Sequence, residues 1–260
     1  MIDGSLVTVR MNPESYTPGH TQNATDFMSR RSLESHGQFF VPHLRPGLSV
    51  LDCGCGPGTI TLGIAARVAP GRVVGVDFGG SQIEAALLNA RRASIANAEF
   101  EAADCRSLPL TSNSFDRVFS HALLEHVADP IRVLGEMHRG LKPGGIIGVC
   151  SPDWGGFIIA PPSPSLARAI EAYTALQARN SGDVDAGRKL GVHLVAAGFS
   201  RVEMSARYEC YPSLPFIGEY LAVQLERAGD SESAATWRTW SLSPAGMFAQ
   251  AWVAATGHKT

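Results

Sequence analysis

The chain of 260 residues lacks the features that several large protein classes need. It has no run of about 20 apolar residues, the length that crosses a bilayer as a helix, and residues 1–10 lack the apolar stretch of a signal peptide. Lys and Arg number 22 against 24 Asp and Glu, a net charge of −2 that leaves no basic excess for nucleic acid or anionic lipid. These absences predict a cytoplasmic protein with a small-molecule partner, neither nucleic acid nor membrane, and leave its oligomeric state open.

Cysteine is also scarce and poorly placed for cross-links or metal. The five cysteines form no C-x-x-C pair. Cys53 and Cys55 lie two positions apart in a glycine-rich turn, too close for a disulfide and without further ligands for zinc. The pattern is typical of a reducing compartment and predicts no metal site.

What the sequence does have is a regular alternation of short apolar runs and helical patterns, typical of βαβ units around a parallel sheet. The predicted strands are 48–51, 73–76, 99–102, 116–120 and 146–150. The predicted helices between them are 58–68, 81–93 with capping-box spacing at Ser81 and Glu84, and one that begins at Asp129 and Pro130.

The flanking segments are less regular. A helix is predicted at 25–40, and residues 151–165, rich in proline and glycine, predict a loop. Further predictions are helices at 165–179, 183–197 and 214–227 and strands at 202–211 and 247–255. We therefore expect a single domain, 1–260, with an N-terminal cap (1–45), a ligand-binding core (46–150) and a substrate-side half (151–260) that carries an aromatic, irregular lid at 212–244.

A glycine-rich turn follows the first predicted strand, where residues 50–58 read VLDCGCGPG. Gly54, Gly56 and Gly58 let a ligand approach the backbone closely, and the helix that follows offers free N–H groups. The G-x-G-x-G spacing differs from the G-x-G-x-x-G of dinucleotide-binding folds. Asp52 would repel a pyrophosphate and favour a cationic group, such as the ammonium of a methionine moiety.

Two more acids end the neighbouring strands. Asp77 ends the second strand, where a carboxylate accepts hydrogen bonds from both ribose hydroxyls of a nucleoside. Phe78 follows it and is suited either to an adenine face or to ordinary core packing. Asp104 ends the third strand, either as an acceptor for an adenine amino group or as a solvated turn residue.

Five segments between roughly residues 40 and 150 carry motifs whose order and spacing are close to those of a known family: 50–58, 73–77, 103–109 (ADCRSLP), 115–127 and 141–145 (LKPGG). Through these motifs the sequence resembles the class I S-adenosylmethionine-dependent methyltransferases, particularly the ubiquinone/menaquinone-biosynthesis type and natural-product enzymes. The resemblance implies a Rossmann-like, doubly wound α/β fold whose seven-stranded, mostly parallel sheet has an antiparallel last strand. It implies S-adenosyl-L-methionine as cofactor, with contacts at Gly54, Gly56, Gly58, Asp77, Phe78, Asp104 and, through its backbone, Cys105.

The resemblance also suggests candidates around the reacting methyl group. His121 stands at the position that lines the cofactor's methionine in the family, and a histidine that titrates near neutrality suits it as a general base. It also suits a mere packing role beside the cofactor. Glu125 and His126 are interpreted as structural. Tyr16 and His20 lie in a segment that often folds over the cofactor, so Tyr16 is counted among the cofactor contacts.

Aromatic residues of the second half suggest a partly apolar or aromatic metabolite, methylated on O, N or C by in-line displacement. The candidate substrate contacts are Trp154, Phe157, Tyr173, His193, Tyr211, Phe216, Tyr220 and Trp240. Two alternatives stay open: an NAD(P)-dependent oxidoreductase and a catalytically silent S-adenosylmethionine-binding module. A nucleic-acid methyltransferase is disfavoured, because SHAL at 120–123 replaces the Asn-Pro-Pro-Tyr type of motif.

Overall fold

The fold is built on one mixed sheet, seen in a computed structural model that describes residues 16–19 and 21–260. Its seven strands are β1 (Val50–Cys53), β2 (Val73–Asp77), β3 (Ala98–Ala102), β4 (Phe115–His121), β5 (Leu141–Ala160), β6 (Ser200–Cys210) and β7 (Met247–His258). Their order is β3-β2-β1-β4-β5-β7-β6. Strands β1 to β5 pair in parallel, and β7 is antiparallel to both β5 and β6. The predicted fold class is confirmed.

Helices connect the strands and flank the sheet. They are α1 (Gln22–Ser29), α2 (Leu33–His36), α3 (Thr59–Val68), α4 (Gly80–Arg92), α5 (Pro130–Gly140), α6 (Pro164–Arg179), α7 (Ala186–Ala196), α8 (Leu214–Arg227) and α9 (Ser231–Trp240), with 3-10 helices at Gln38–His43 and Leu124–His126. In the part of the chain that the structure describes, none of them is both long and apolar enough to cross a bilayer.

Both faces of the sheet are covered, because neighbouring residues of a strand point to opposite sides. Val50 of β1 packs into a cluster with α3 and the N-terminal segment, whereas the adjacent Leu51 packs with α5 and α7. Strand β1 lies between β2 and β4, so the strand order reverses there. A crevice opens at the carboxyl ends of the strands at such a reversal, which is where ligands bind in open α/β sheets.

The predicted helix at 25–40 is wrong. The chain instead forms α1, α2 and the 3-10 helix Gln38–His43. Ser32 and Ser35 form a reciprocal capping box that starts α2, and Gly37 ends it by donating to the carbonyl of Leu33. The break turns the chain back over the sheet and buries Phe40 completely.

The predicted loop at 151–165 is also largely wrong, because β5 continues to Ala160. Its partner β4 ends opposite Cys150, so beyond that point β5 pairs on one side only, with β7. Proline is tolerated on such an edge, and Pro152 keeps its place in the ladder opposite Trp252. A register shift between Asp153 and Ile158 accommodates the two glycines.

The segment 212–244 is helical, not irregular, since it contains α8 and α9. Together with α6 they bury an aromatic cluster that includes Tyr173, Trp237 and Phe248. The predicted capping box at Ser81 and Glu84 is wrong as well: α4 begins at Gly80 after Gly79, with no side-chain cap.

Candidate active site

The glycine turn after β1 adopts the left-handed conformation that only glycine enters without strain. Gly54, Gly56 and Gly58 have φ of 75°, 52° and 77°. A Cβ on Gly58 would lie 2.9 Å from the ring of Phe100. Gly54 and Gly56 line a cavity, while Gly58 packs the turn against β3.

That cavity occupies the crevice at the strand ends and has a volume of about 1230 Å³, including open solvent at its mouth. It gathers eight of the nine sequence-predicted cofactor residues, all except Gly58: Tyr16, Gly54, Gly56, Asp77, Phe78, Asp104, Cys105 and His121. His20, the other residue predicted to cover the site, lies outside the described residues. We call this space the crevice cavity.

Asp77 holds two backbone segments together. Its Oδ2 accepts a hydrogen bond from the N–H of Gly56 at 2.9 Å, and its Oδ1 accepts one from the N–H of Gly79 at 2.8 Å. The carboxylate is thereby fixed on the cavity wall at the end of β2. Next to it Phe78 is 69% exposed, which excludes the ordinary core-packing alternative for its ring.

The other two acids of the cavity differ in environment. The Asp104 carboxylate accepts hydrogen bonds from Nε and Nη2 of Arg106 at 2.8–3.1 Å, and these bonds lower the pKa of its carboxyl. Asp52 is buried and accepts a hydrogen bond from Thr61 Oγ1 at 2.6 Å. Burial raises the pKa of Asp52 to about 7 despite that bond. A cation placed beside Asp52 would favour its charged form.

His121 is enclosed by rings at the end of β4. Its imidazole lies 4.7 Å from the Trp252 ring and 5.1 Å from the His36 ring, between centroids. Neither ring nitrogen has a hydrogen-bond partner in the described chain. Burial, and then the positive charge of Arg31, lower the pKa of His121 well below its usual value. The expected titration near neutrality is therefore wrong, and the imidazole is neutral at pH 7.

A second space of about 650 Å³, including open solvent, adjoins the first, and we call it the aromatic cavity. The two share Tyr16, Met28, Arg31, Ala122 and His126. Four of the predicted substrate contacts line the aromatic cavity: Trp154, Tyr173, Tyr211 and Tyr220. The other four, Phe157, His193, Phe216 and Trp240, do not.

Sequence reasoning missed several residues of the aromatic cavity, among them Phe248, Gln250 and Trp252 of β7. They occupy alternate positions of one strand, so they share a face. That alternation is the signal in the sequence that could have identified them. Phe27 of α1 was missed too, and it stacks on Tyr220 at 3.8 Å between centroids.

Glu125 lines the aromatic cavity, next to His126 at the boundary of the two cavities. Glu125 Oε2 accepts a hydrogen bond from Ser151 Oγ at 2.9 Å, and burial raises the pKa of Glu125 to about 7. Burial lowers the pKa of His126 to about 3. Their interpretation as structural residues stays a prediction. In the described residues, no three His, Cys, Asp or Glu side chains are grouped to hold a metal ion.

Comparison with known proteins identifies the family. A family model described as a methyltransferase domain matches residues 44–187. A probable methyltransferase of Aspergillus luteorubrus is 33% identical over 142 residues, 51% of this chain and 50% of that protein. Demethylmenaquinone methyltransferase of Symbiobacterium thermophilum is 38% identical over 118 residues, 42% of this chain and 45% of that one.

The chain spans about half the length of the curated relatives it matches. A solved structure, the [4+2]-cyclase SpnF, aligns with a TM-score of 0.56 at 23% identity over 90% of this chain and 80% of its own. At that identity the match speaks for the fold alone. With the family model covering more than half of it, the chain belongs to the class I S-adenosylmethionine-dependent methyltransferases.

Proposed function

We propose that this chain transfers a methyl group from S-adenosylmethionine to a small molecule with a partly apolar or aromatic body. The observation that carries the proposal is the pair of adjoining cavities. One is built from the glycine turn and the strand-end acids, and the other is walled by aromatic rings. Five shared residues form their boundary, where a methyl group would pass from donor to acceptor.

The crevice cavity fits S-adenosylmethionine by the chemistry of its walls. Asp77 would hold the ribose hydroxyls and Phe78 would cover the adenine. Asp52, a buried carboxylate whose pKa is raised to about 7, would receive the methionine ammonium. Asp104 and the backbone of Cys105 would bind the adenine edge, Gly54 and Gly56 would admit the cofactor to close range, and Tyr16 would cover it. When bound, the cofactor would supply a sulfonium methyl group for in-line transfer to the nucleophile, with S-adenosylhomocysteine as the leaving group.

The protein's main contribution is position and exclusion of water. A nucleophile held in the aromatic cavity faces the boundary, with its apolar body against Trp154 and Tyr211. For a hydroxyl or amine that must lose a proton, we propose His121 as the acceptor. Its imidazole is neutral, and neither ring nitrogen has a hydrogen-bond partner among the described residues. Glu125, which lines the aromatic cavity, is the competing acceptor.

Binding and turnover test the proposal separately. Calorimetry should detect S-adenosylmethionine and S-adenosylhomocysteine binding, and little or no NAD binding. Tight NAD binding without adenosylmethionine binding would establish the oxidoreductase alternative instead. Turnover is then measured with methyl-labelled cofactor and a panel of aromatic and aliphatic metabolites. Cofactor binding with no methyl transfer to any member would favour the silent binding module.

A further inference from the structure

Arg31 stands at the boundary of the two cavities and lines both of them. Its guanidinium carbon lies 5.2 Å from the centroid of the Phe27 ring and 5.3 Å from that of the Trp252 ring. Within residues 16–19 and 21–260, the guanidinium makes no hydrogen bond and no ion pair. Ring faces hold a planar cation in place but leave its five N–H donors without acceptors.

The acids around Arg31 do not supply acceptors for its N–H groups. The nearby Glu125 has a pKa raised to about 7 by burial, so at neutral pH it carries only part of a negative charge. Glu209 is a charged neighbour, since the positive charge of Arg31 helps to lower its pKa, but its Oε2 accepts hydrogen bonds from Trp252 Nε1 at 2.8 Å and from His36 at 3.3 Å and none from the Arg31 guanidinium. Asp183, on the wall of the aromatic cavity, is paired with Lys189 at 2.6 Å. Among the described surroundings, a ligand is the remaining source of acceptors for the guanidinium N–H groups.

A second polar atom in the aromatic cavity also lacks a partner. Gln177 is 6% exposed, and its Nε2 donates to the Tyr173 hydroxyl at 2.9 Å. Its Oε1 is buried and has no hydrogen-bond partner in the described chain. A buried acceptor without a donor costs roughly 1–3 kcal/mol. The aromatic cavity thus combines apolar walls, a cation at the boundary and an unmatched acceptor on the α6 side.

From this combination we infer that the aromatic cavity takes an apolar or aromatic carboxylic acid, with its carboxylate on Arg31. A hydroxyl or amino group elsewhere on such a ligand would donate to Gln177. A monoanion fits better than a phosphate, because Arg31 is the single cation on the wall of this cavity among the described residues. The planar guanidinium matches a carboxylate in bidentate geometry. The inference rests on the proposed function in one respect: the aromatic cavity is the one that receives the substrate.

Binding of acids and their amides tests it. The probes are benzoate, naphthoate and decanoate, each compared with its neutral amide, by calorimetry with and without S-adenosylhomocysteine. At least one acid should bind the wild-type chain tenfold or more tightly than its amide. Arg31→Gln should abolish that preference, and Arg31→Lys should restore part of it. The matched control is Arg30→Gln, because Arg30 lies over the ring of Phe216 at 3.4 Å and lines neither cavity.

Two results would overturn the inference. One is that no acid binds more tightly than its amide. The other is that Arg31→Gln weakens S-adenosylhomocysteine but not methylthioadenosine, which lacks the amino-acid part, since Arg31 would then serve the cofactor's own carboxylate. Failure of the proposed function would be recognised separately, because the wild-type chain would then show no cofactor binding or no turnover. The acid preference is measurable without cofactor.

Discussion

The Asp77 carboxylate accepts the backbone N–H of Gly56 at 2.9 Å, so the end of β2 fixes the glycine turn that follows β1. The other carboxylate oxygen accepts the N–H of Gly79 at the entry to α4. Asp77 therefore arranges the turn and presents a charged oxygen to the crevice cavity at once. A single substitution should affect both stability and cofactor binding.

We expect Asp77→Ala to weaken S-adenosylhomocysteine binding by about 2–4 kcal/mol, since two ribose hydrogen bonds are lost. The unliganded chain should lose about 1–3 kcal/mol of unfolding free energy, because two backbone N–H groups lose their acceptor. Calorimetry and urea titration measure the two effects. Asp77→Asn keeps one acceptor oxygen and serves as the milder control. Unchanged affinity in Asp77→Ala contradicts the ribose assignment.

The sequence predicted the parallel half of the sheet and the crevice cavity well because both depend on local patterns. Short apolar runs set β1 to β5, and the acids at their ends converge because parallel strands end at one edge. The continuation of β5 past Cys150 depends on pairing with β7, about a hundred residues later in the sequence. No local pattern encodes that contact, and proline and glycine pointed to a loop.

Only half of the predicted substrate contacts line the aromatic cavity, for a similar reason. Tyr173, Tyr211 and Tyr220 were named by residue type, which does not separate a cavity wall from a packed core. Trp240 shows the difference: its Nε1 donates to the carbonyl of Pro161, and it packs beside Trp237, away from both cavities. Side-chain direction on α8 and α9 follows from tertiary packing rather than from composition.

The second prediction concerns Asp52 and pH. Burial raises its pKa from near 4 to about 7, so folding disfavours the charged form. The buried neutral carboxyl of Asp52 therefore contributes stability to the unliganded chain that is fully present below about pH 4. That stability is lost as the pH rises through about 7. If Asp52 receives the methionine ammonium, binding drives its ionisation, and S-adenosylhomocysteine affinity should rise between about pH 5 and 7.

Calorimetry in buffers of different ionisation enthalpy measures the accompanying proton release near pH 7. Asp52→Asn should abolish most of it and flatten the pH dependence. Glu125, whose pKa is also raised to about 7, requires its own control, Glu125→Gln, which should leave the release largely intact. If the release disappears with Glu125→Gln and persists with Asp52→Asn, the ammonium assignment is wrong.

The third prediction concerns the bulge in β5. Asp153 is 3% exposed, and its carboxylate accepts three hydrogen bonds from Arg188 of α7, through the backbone N, Nε and Nη2 at 2.6–3.0 Å. Burial alone would raise the pKa of Asp153, but these bonds lower it. The pair thus stabilises the fold above about pH 4, and its contribution is lost at lower pH.

Asp153→Ala should cost about 2–4 kcal/mol of unfolding free energy, because the bulge loses its anchor on α7. Urea titration at neutral pH measures the loss. The control is Lys189→Met, which removes a more exposed ion pair with Asp183 and should cost less than about 1 kcal/mol. Equal losses in the two variants would show that Asp153 is not the anchor.

The last prediction tests His121 as proton acceptor. If the proposal holds, His121→Asn lowers kcat by roughly 10²–10⁴-fold while S-adenosylhomocysteine affinity stays nearly intact, since Asn keeps a polar group but does not take up the proton. The pKa of His121 is well below its usual value, so the wild-type rate should not follow a histidine titration between about pH 6.5 and 8. Glu125 gives a different signature. With a pKa of about 7, it must ionise to act, so the rate would rise with pH through that value and Glu125→Gln would remove the rise. Two results together would contradict the assignment to His121: a near-wild-type kcat in His121→Asn, and a wild-type rate that rises through pH 7 and no longer rises in Glu125→Gln. Glu125 would then be the proton acceptor, and His121 would only line the crevice cavity.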